Sequence, residues 1–109
     1  MMRGMANLGN LVKQAKRLQE ELEKTQAEIT TMKVDASSGG GMVKATVNGR
    51  GELVDLVIEK DVVDPTDVEM LVDLVIAAVK EAQKKAQGLA EEKLGPLTRG
   101  MNLPGIPGL

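Results

Sequence analysis

A seven-residue apolar repeat near the start of the chain constrains its fold more than any other feature. Leu8, Ala15, Leu22 and Ile29 stand seven apart, and Leu11, Leu18, Thr25 and Met32 repeat the spacing with an offset of three. This is an a/d seam with one polar interruption, at Thr25. No Pro or Gly breaks the run after Gly9, so the pattern predicts one long helix over 7–32. A stripe this narrow suits a helix–helix seam better than burial in a broad core. Residues 1–6, rich in Met and Gly, are expected to form a flexible arm ahead of it.

The periodicity then changes. A short extended piece over 33–36 leads into Ser37-Ser38-Gly39-Gly40-Gly41, which is expected to break regular structure. Met42 to Val47 alternates, with Val43, Ala45 and Val47 on one face; Glu52 to Glu59 alternates again, with Val54, Leu56 and Ile58 on one face. Asn48-Gly49-Arg50-Gly51 between them is a hairpin signal. A loop over 48–51 would set Val47 opposite Glu52 and Val43 opposite Leu56, with Lys44 facing Asp55. Met42, Leu53 and Val57 make the second face partly apolar, which predicts cover on both faces. The strands thus occupy 33–59. Asp64-Pro65-Thr66-Asp67 reads as a helix start with Asp64 as N-cap and Pro65 at the first helical position. That helix is expected to run over 64–94, where Gly95-Pro96 should stop it. Residues 96–109, rich in Gly and Pro, are expected to be a flexible tail.

At 109 residues the chain is one domain, and it contains no Cys, His, Phe, Tyr or Trp. That composition excludes a disulfide framework, thiolate or imidazole chemistry, and any aromatic platform for stacking single-stranded bases. It also leaves the core to Val, Leu, Ile, Met and Ala. A helix of this length, about 39 Å, overhangs a strand of about 20 Å. The overhang and the second apolar sheet face both ask for another surface, so an obligate homodimer is expected. There is no apolar run long enough to cross a membrane and no signal-peptide h-region in Met1-Met2-Arg3-Gly4-Met5, which predicts a cytoplasmic protein.

The net charge of −2 conceals an uneven distribution. Residues 1–17 hold four bases and no acid, whereas residues 61–95 hold eight acids and four bases. On a helix, Lys13, Arg17 and Lys24 fall opposite the seam, with Lys16 beside them. Such a patch can hold phosphates by counterion release; it is equally the solvated back of an amphipathic helix, with Arg17–Glu21 and Glu20–Lys24 pairs absorbing charge. Lys80, Lys84 and Lys85, with Lys93 beyond, form a second basic cluster that the helix dipole alone would also explain. Arg3 and Arg99 lie in the expected arms, from which they could reach a nucleic-acid backbone.

Other constellations fail on spacing. Gly39-Gly40-Gly41 leads into a strand rather than a Gly-Lys-Ser/Thr helix start, so it is a turn or close backbone approach, not a phosphate cradle. Asp61, Asp64 and Asp67 lack the pattern of a calcium loop. No catalytic set emerges, and neither a metal nor a cofactor is expected.

GGGMVKATVNGRG (Gly39 to Gly51) followed by DPTDVEMLVDLVIAAVKEAQKKA (Asp64 to Ala86) closely resembles the YbaB/EbfC family of bacterial nucleoid-associated proteins. The likeness extends to NLGNLVKQAKRLQEELEKTQ at the first helix and MNLPG at Met101 to Gly105. It implies an α+β fold with an α-β-β-β-α protomer, a small antiparallel sheet, and two long helices projecting like tweezers from a homodimer. It further implies binding of double-stranded DNA and a place in the nucleoid. Weighed with the charge pattern, the expected DNA-binding residues are Arg3, Lys13, Lys16, Arg17, Lys24, Lys84, Lys85 and Arg99. Two other functions fit helices flanking a hairpin: a prefoldin-like holdase and a dimeric scaffold for partner helices. The helices are short for a holdase, and the apolar seam is expected to be consumed internally.

Overall fold

The computed structural model describes the backbone of residues 2–101 and the side chains of residues 8–98. Helix α1 (Met2–Thr31) leads into strands β1 (Val34–Ser38), β2 (Val43–Val47) and β3 (Leu53–Ile58), then helix α2 (Val68–Met101). Single 3-10 turns lie at Gly39–Gly41 and Lys60–Val62. The α-β-β-β-α order expected from the sequence is present, in a molecule 79 × 25 × 16 Å in extent.

Both helices outrun their expected limits. α1 is already helical at Met2, so the segment expected as an arm is continuous with the helix. Gly4 alone, costing about 1 kcal/mol relative to Ala, does not end it. α2 continues through Pro96 to Met101 instead of stopping at Gly95-Pro96. Pro96 removes one amide donor, but it does so on an exposed helix end where water can serve the freed carbonyl. There the Thr98 hydroxyl donates to the Leu94 and Gly95 carbonyls at 3.2 Å each. The rest of the expected tail, 102–109, lies outside the described residues. At the other end α2 starts later than expected. Asp64 accepts from the Thr66 amide and hydroxyl at 2.9 and 2.7 Å, closing a turn of its own. Asp67 is the residue that caps α2, accepting from the Met70 amide at 3.2 Å.

The three strands form an antiparallel sheet in the order β1-β2-β3. The hairpin register differs from the expected one by two residues. Val43 lies opposite Ile58 and Ala45 opposite Leu56, while Lys44 faces Val57, not Asp55, and Asp55 faces Thr46. The Asn48 amide donates to the Glu52 carbonyl at 2.9 Å, so Asn48 opposes Glu52 and the turn is tighter than a loop over 48–51. An irregularity between Thr46 and Val47 then shifts the pairing once more. Two single shifts preserve the face, so Leu56 and Ile58 still share the face of Val43 and Ala45; Val54 is left exposed.

The core lies between this face and α2. Val34, Ala36, Val43, Ala45 and Val47 pack against Ala78, Ala82 and Ala86, spaced four apart along α2. Small residues on that helix stripe let its backbone approach the sheet closely, and all three alanines are fully buried. Val43 and Val47 are the largest fully buried side chains, each contributing roughly 1.5–3 kcal/mol by leaving water. Leu71, Leu74, Val75 and Val79 add partly buried cover.

Two glycine features fix the connections. Gly39, Gly40 and Gly41 have φ of 60°, 68° and 92°, so three successive left-handed residues turn β1 into β2; a side chain there would cost about 1–2 kcal/mol per residue. Gly49 presses the hairpin turn onto the end of α1. Its amide donates to the Ile29 carbonyl at 2.9 Å, satisfying one of the carbonyls a helix end leaves open. A Cβ on Gly49 would collide with that same carbonyl oxygen and lie 2.6 Å from Ile29 Cγ2.

Candidate nucleic-acid interface

The path of α2 orients the basic residues. Ser38, at the far end of β1, donates its hydroxyl to the Leu74 carbonyl at 2.5 Å. Gln83 donates to the Gly51 carbonyl at 3.0 Å, at the hairpin end of the sheet. Lys93 then pairs with Glu28 of α1 at 3.8 Å. α2 therefore runs across the sheet toward the hairpin and continues antiparallel to α1, forming a two-helix arm. In that arm Leu18, Leu22 and Thr25 are half-buried, as are Leu94 and Leu97. From the Glu28–Lys93 level the described part of α1 continues for about 39 Å, and that of α2 for about 12 Å.

Lys13, Lys16 and Arg17 sit on the extending half of α1 and are exposed. The pairs expected to absorb their charge do not form. Among the described residues the ion pair present is Lys93–Glu28, so Lys13, Lys16, Arg17 and Lys24 have no carboxylate partner there. Three unpaired cations within little more than one helical turn make the densest positive surface in the described part of the chain.

The second cluster divides. Lys84, like Lys80, is exposed on the side of α2 away from the sheet, opposite the alanine stripe. Lys85 reaches back to β1 and donates to the Asp35 carbonyl at 3.3 Å, tying its ammonium to the sheet edge. Along the molecule, Lys16 and Lys84 lie on opposite sides of the Glu28–Lys93 level, about 30 Å apart by helix rise, so the protomer does not merge them into one patch. The side chains of Arg3 and Arg99 lie outside the described residues. Arg50, which was not among the expected residues, is exposed at the hairpin tip. It lines an open cleft of about 380 Å³ with Gln83, Gln87 and Glu91. Its signal in the sequence was an arginine between two turn glycines, where the backbone must surface.

The described residues hold no cluster of His, Cys, Asp or Glu suited to a metal ion, and no helix is long and apolar enough to cross a membrane. Asp64 has its carboxyl lowered from the usual 3.8, chiefly by the Thr66 hydroxyl and then by the Thr66 amide; this is turn chemistry, not a catalytic pair.

The described residues thus form an extended α+β protein with a small sheet, a two-helix arm and a cationic helix back. The comparisons with known proteins are specific about which kind. The chain belongs to the YbaB/EbfC DNA-binding family, which it matches over residues 4–101. It is 49% identical over 105 residues to a nucleoid-associated protein of Exiguobacterium sp., covering 96% of this chain and all of that one. A nucleoid-associated protein of Streptomyces avermitilis is 49% identical over 106 residues, covering 97% of this chain and 94% of the other. The crystal structure of an uncharacterized protein from Helicobacter pylori shares the fold, with a TM-score of 0.57 and 28% identity over 80% of this chain and 96% of that one.

Proposed function

We propose that two copies of this chain join and bind double-stranded DNA through phosphates, as a nucleoid-associated protein of the bacterial cytoplasm that alters DNA conformation. The observation that carries the reading is the trio Lys13, Lys16 and Arg17, exposed and unpaired on the projecting half of α1, in a member of a DNA-binding family. Phosphate contact needs cations without a carboxylate partner, and among the described residues Lys13, Lys16 and Arg17 have none. Lys24, Lys84 and Arg50 extend the cationic surface; Arg3 and Arg99 are assigned supporting contacts. The absence of aromatic side chains favours duplex over single strands, because single-strand binding draws on stacking.

The dimer reading rests on a different surface. β3 is an edge strand, and Leu53, Val54 and Val57 on it are exposed, together with Val68, Val72 and Ile76 at the start of α2. An open edge carrying apolar side chains is a template for strand pairing. A second copy meeting it there would double every cationic cluster.

Duplex binding measured across salt concentrations tests this. Six phosphate contacts per dimer predict a slope near −5 in log affinity against log salt. Replacing Lys13, Lys16 and Arg17 together by Ala should remove most of that slope. Affinity indifferent to salt, or unchanged by the triple substitution, would overturn the reading. A holdase remains the competitor because Leu8, Leu11 and Val12 are exposed on α1. Suppressed client aggregation with no duplex binding at low salt would favour it.

A further inference from the structure

The seam expected to be consumed internally is open over its first half. Leu8, Leu11 and Val12 are 61%, 58% and 59% exposed, and Ala15, which continues the stripe, is exposed too. Phosphate contact does not use these side chains, because Lys13 and Arg17 lie on the opposite side of the same turns. We propose that this stripe of α1 lies on the surface of an anionic lipid bilayer, with its apolar side toward the lipid.

The first support is charge. Residues 1–17 carry four bases and no acid, and each base near an anionic membrane surface adds attraction. By helical angle Lys16 falls at the margin of the stripe, next to Val12. There its stem can lie along the apolar surface while its ammonium reaches the headgroups. A helix with one apolar side and a basic remainder binds an interface by combining apolar burial with that attraction.

The second is shape. Leu8 stands about 30 Å beyond the Glu28 level, and among the described residues no other element lies beside it. The stripe therefore has no facing wall and forms no groove. A partner chain gains little from such a surface, whereas a bilayer needs only a flat apolar face. From Leu8 to Ala15 the stripe is about 10.5 Å long, too short to cross a membrane, so the helix lies along the surface.

The third is a contrast within the molecule. Val68, Val72 and Ile76 are a second exposed apolar stripe, but their segment, 61–79, holds five acids and no base. An anionic surface repels it. The two stripes are thus sorted by charge, and only the one on α1 complements lipid. A second copy of α1 laid along that stripe would set two basic segments together, and like-charge juxtaposition is costly.

This contact goes beyond the duplex reading and uses the other side of the helix, so Lys13 and Arg17 point away from the bilayer. Sedimentation of the full chain with vesicles at low salt tests it. Vesicles of equal parts phosphatidylglycerol and phosphatidylcholine should bind at least about tenfold more tightly than phosphatidylcholine alone. Leu8→Asp with Leu11→Asp should lower that affinity at least about tenfold and leave duplex affinity unchanged. Equal binding to the two vesicle types, or by the native and substituted chains, overturns the proposal. So does a substituted chain that loses duplex binding or self-association in place of vesicle binding. The chain has no tryptophan, so a single introduced one supplies a second readout. The emission of Leu11→Trp should shift to the blue on adding the anionic vesicles, and that of Lys13→Trp, on the far side, should not. Equal shifts, or none, overturn the proposal as well.

Discussion

The two helices are built from similar lengths of chain and depend on it in opposite ways. α2 lies on the sheet through Ala78, Ala82 and Ala86, all fully buried, so its first two-thirds is held by close backbone approach. In the described part of α1 the buried residue is Ile29, at the end that meets the hairpin. Its other turns touch only the end of α2 or stand clear. Helical periodicity is equally plain in both sequences. What separates them is stripe width and side-chain size: a stripe of small residues marks the helix that meets a sheet, and a narrow stripe of leucines marks the one that meets another helix.

Substitutions that break one helix without the other sharpen this contrast. The largest loss is expected from Ala82→Leu. Three added carbons have no space between α2 and the sheet, and overpacking of this kind costs about 3 kcal/mol, read as a lowered denaturant midpoint. Gly49→Ala acts on the α1 side. It drives a methyl into the Ile29 carbonyl and should cost about 2 kcal/mol, with exchange speeding at the last turn of α1 while the sheet amides stay protected. A smaller change of opposite sign is expected from Gly88→Ala. Gly88 is helical, exposed and has open space where a Cβ would go, so the substitution should stabilise by about 0.5–1 kcal/mol and raise the melting temperature. The smallest effect belongs to Asp64. Its carboxyl is lowered from 3.8 by Thr66, so its contribution is present above that value and is lost as pH falls through the folded-state value. The difference in melting temperature between the native chain and Asp64→Ala should therefore be constant from neutral pH to about pH 5 and vanish in stronger acid.

The element order, the shared face of Val43, Ala45, Leu56 and Ile58, and the family resemblance are legible in the residues because each rests on local pattern, whereas the irregularity beside Val47 leaves Val54 off that face. Leu56 and Ile58 kept their face even though the register moved, since alternation survives an even shift. The register itself was not legible. It depends on Asn48, whose side-chain oxygen accepts from the Arg50 and Glu52 amides at 2.9 and 3.1 Å, and a four-residue turn signal does not reveal which amides an Asn will collect. Asp64 is the cap expected of α2, but Asp67 takes that role, because the Thr66 amide and hydroxyl hold Asp64 in a turn of its own. Pro96 signals a stop because local rules count the lost hydrogen bond and not the exposure of Glu92 and Pro96, where water can serve the freed carbonyl. Of the expected cationic residues, Lys13, Lys16 and Arg17 stand free, as helical angle alone suggested. Lys85 does not, because its tie to Asp35 joins residues far apart in sequence.

The hydrogen bond from Gly49 to Ile29 fixes more than a helix end. It is a pivot: the first turn of α1 lies about 39 Å from the Glu28 level, so a tilt of 5° at this joint displaces the tip by about 3.4 Å. That is the scale of the step between neighbouring base pairs. The aim of the arm is thus set by a turn residue without a side chain, and a substitution that alters its angle slightly would move the cations on α1 together without removing any of them.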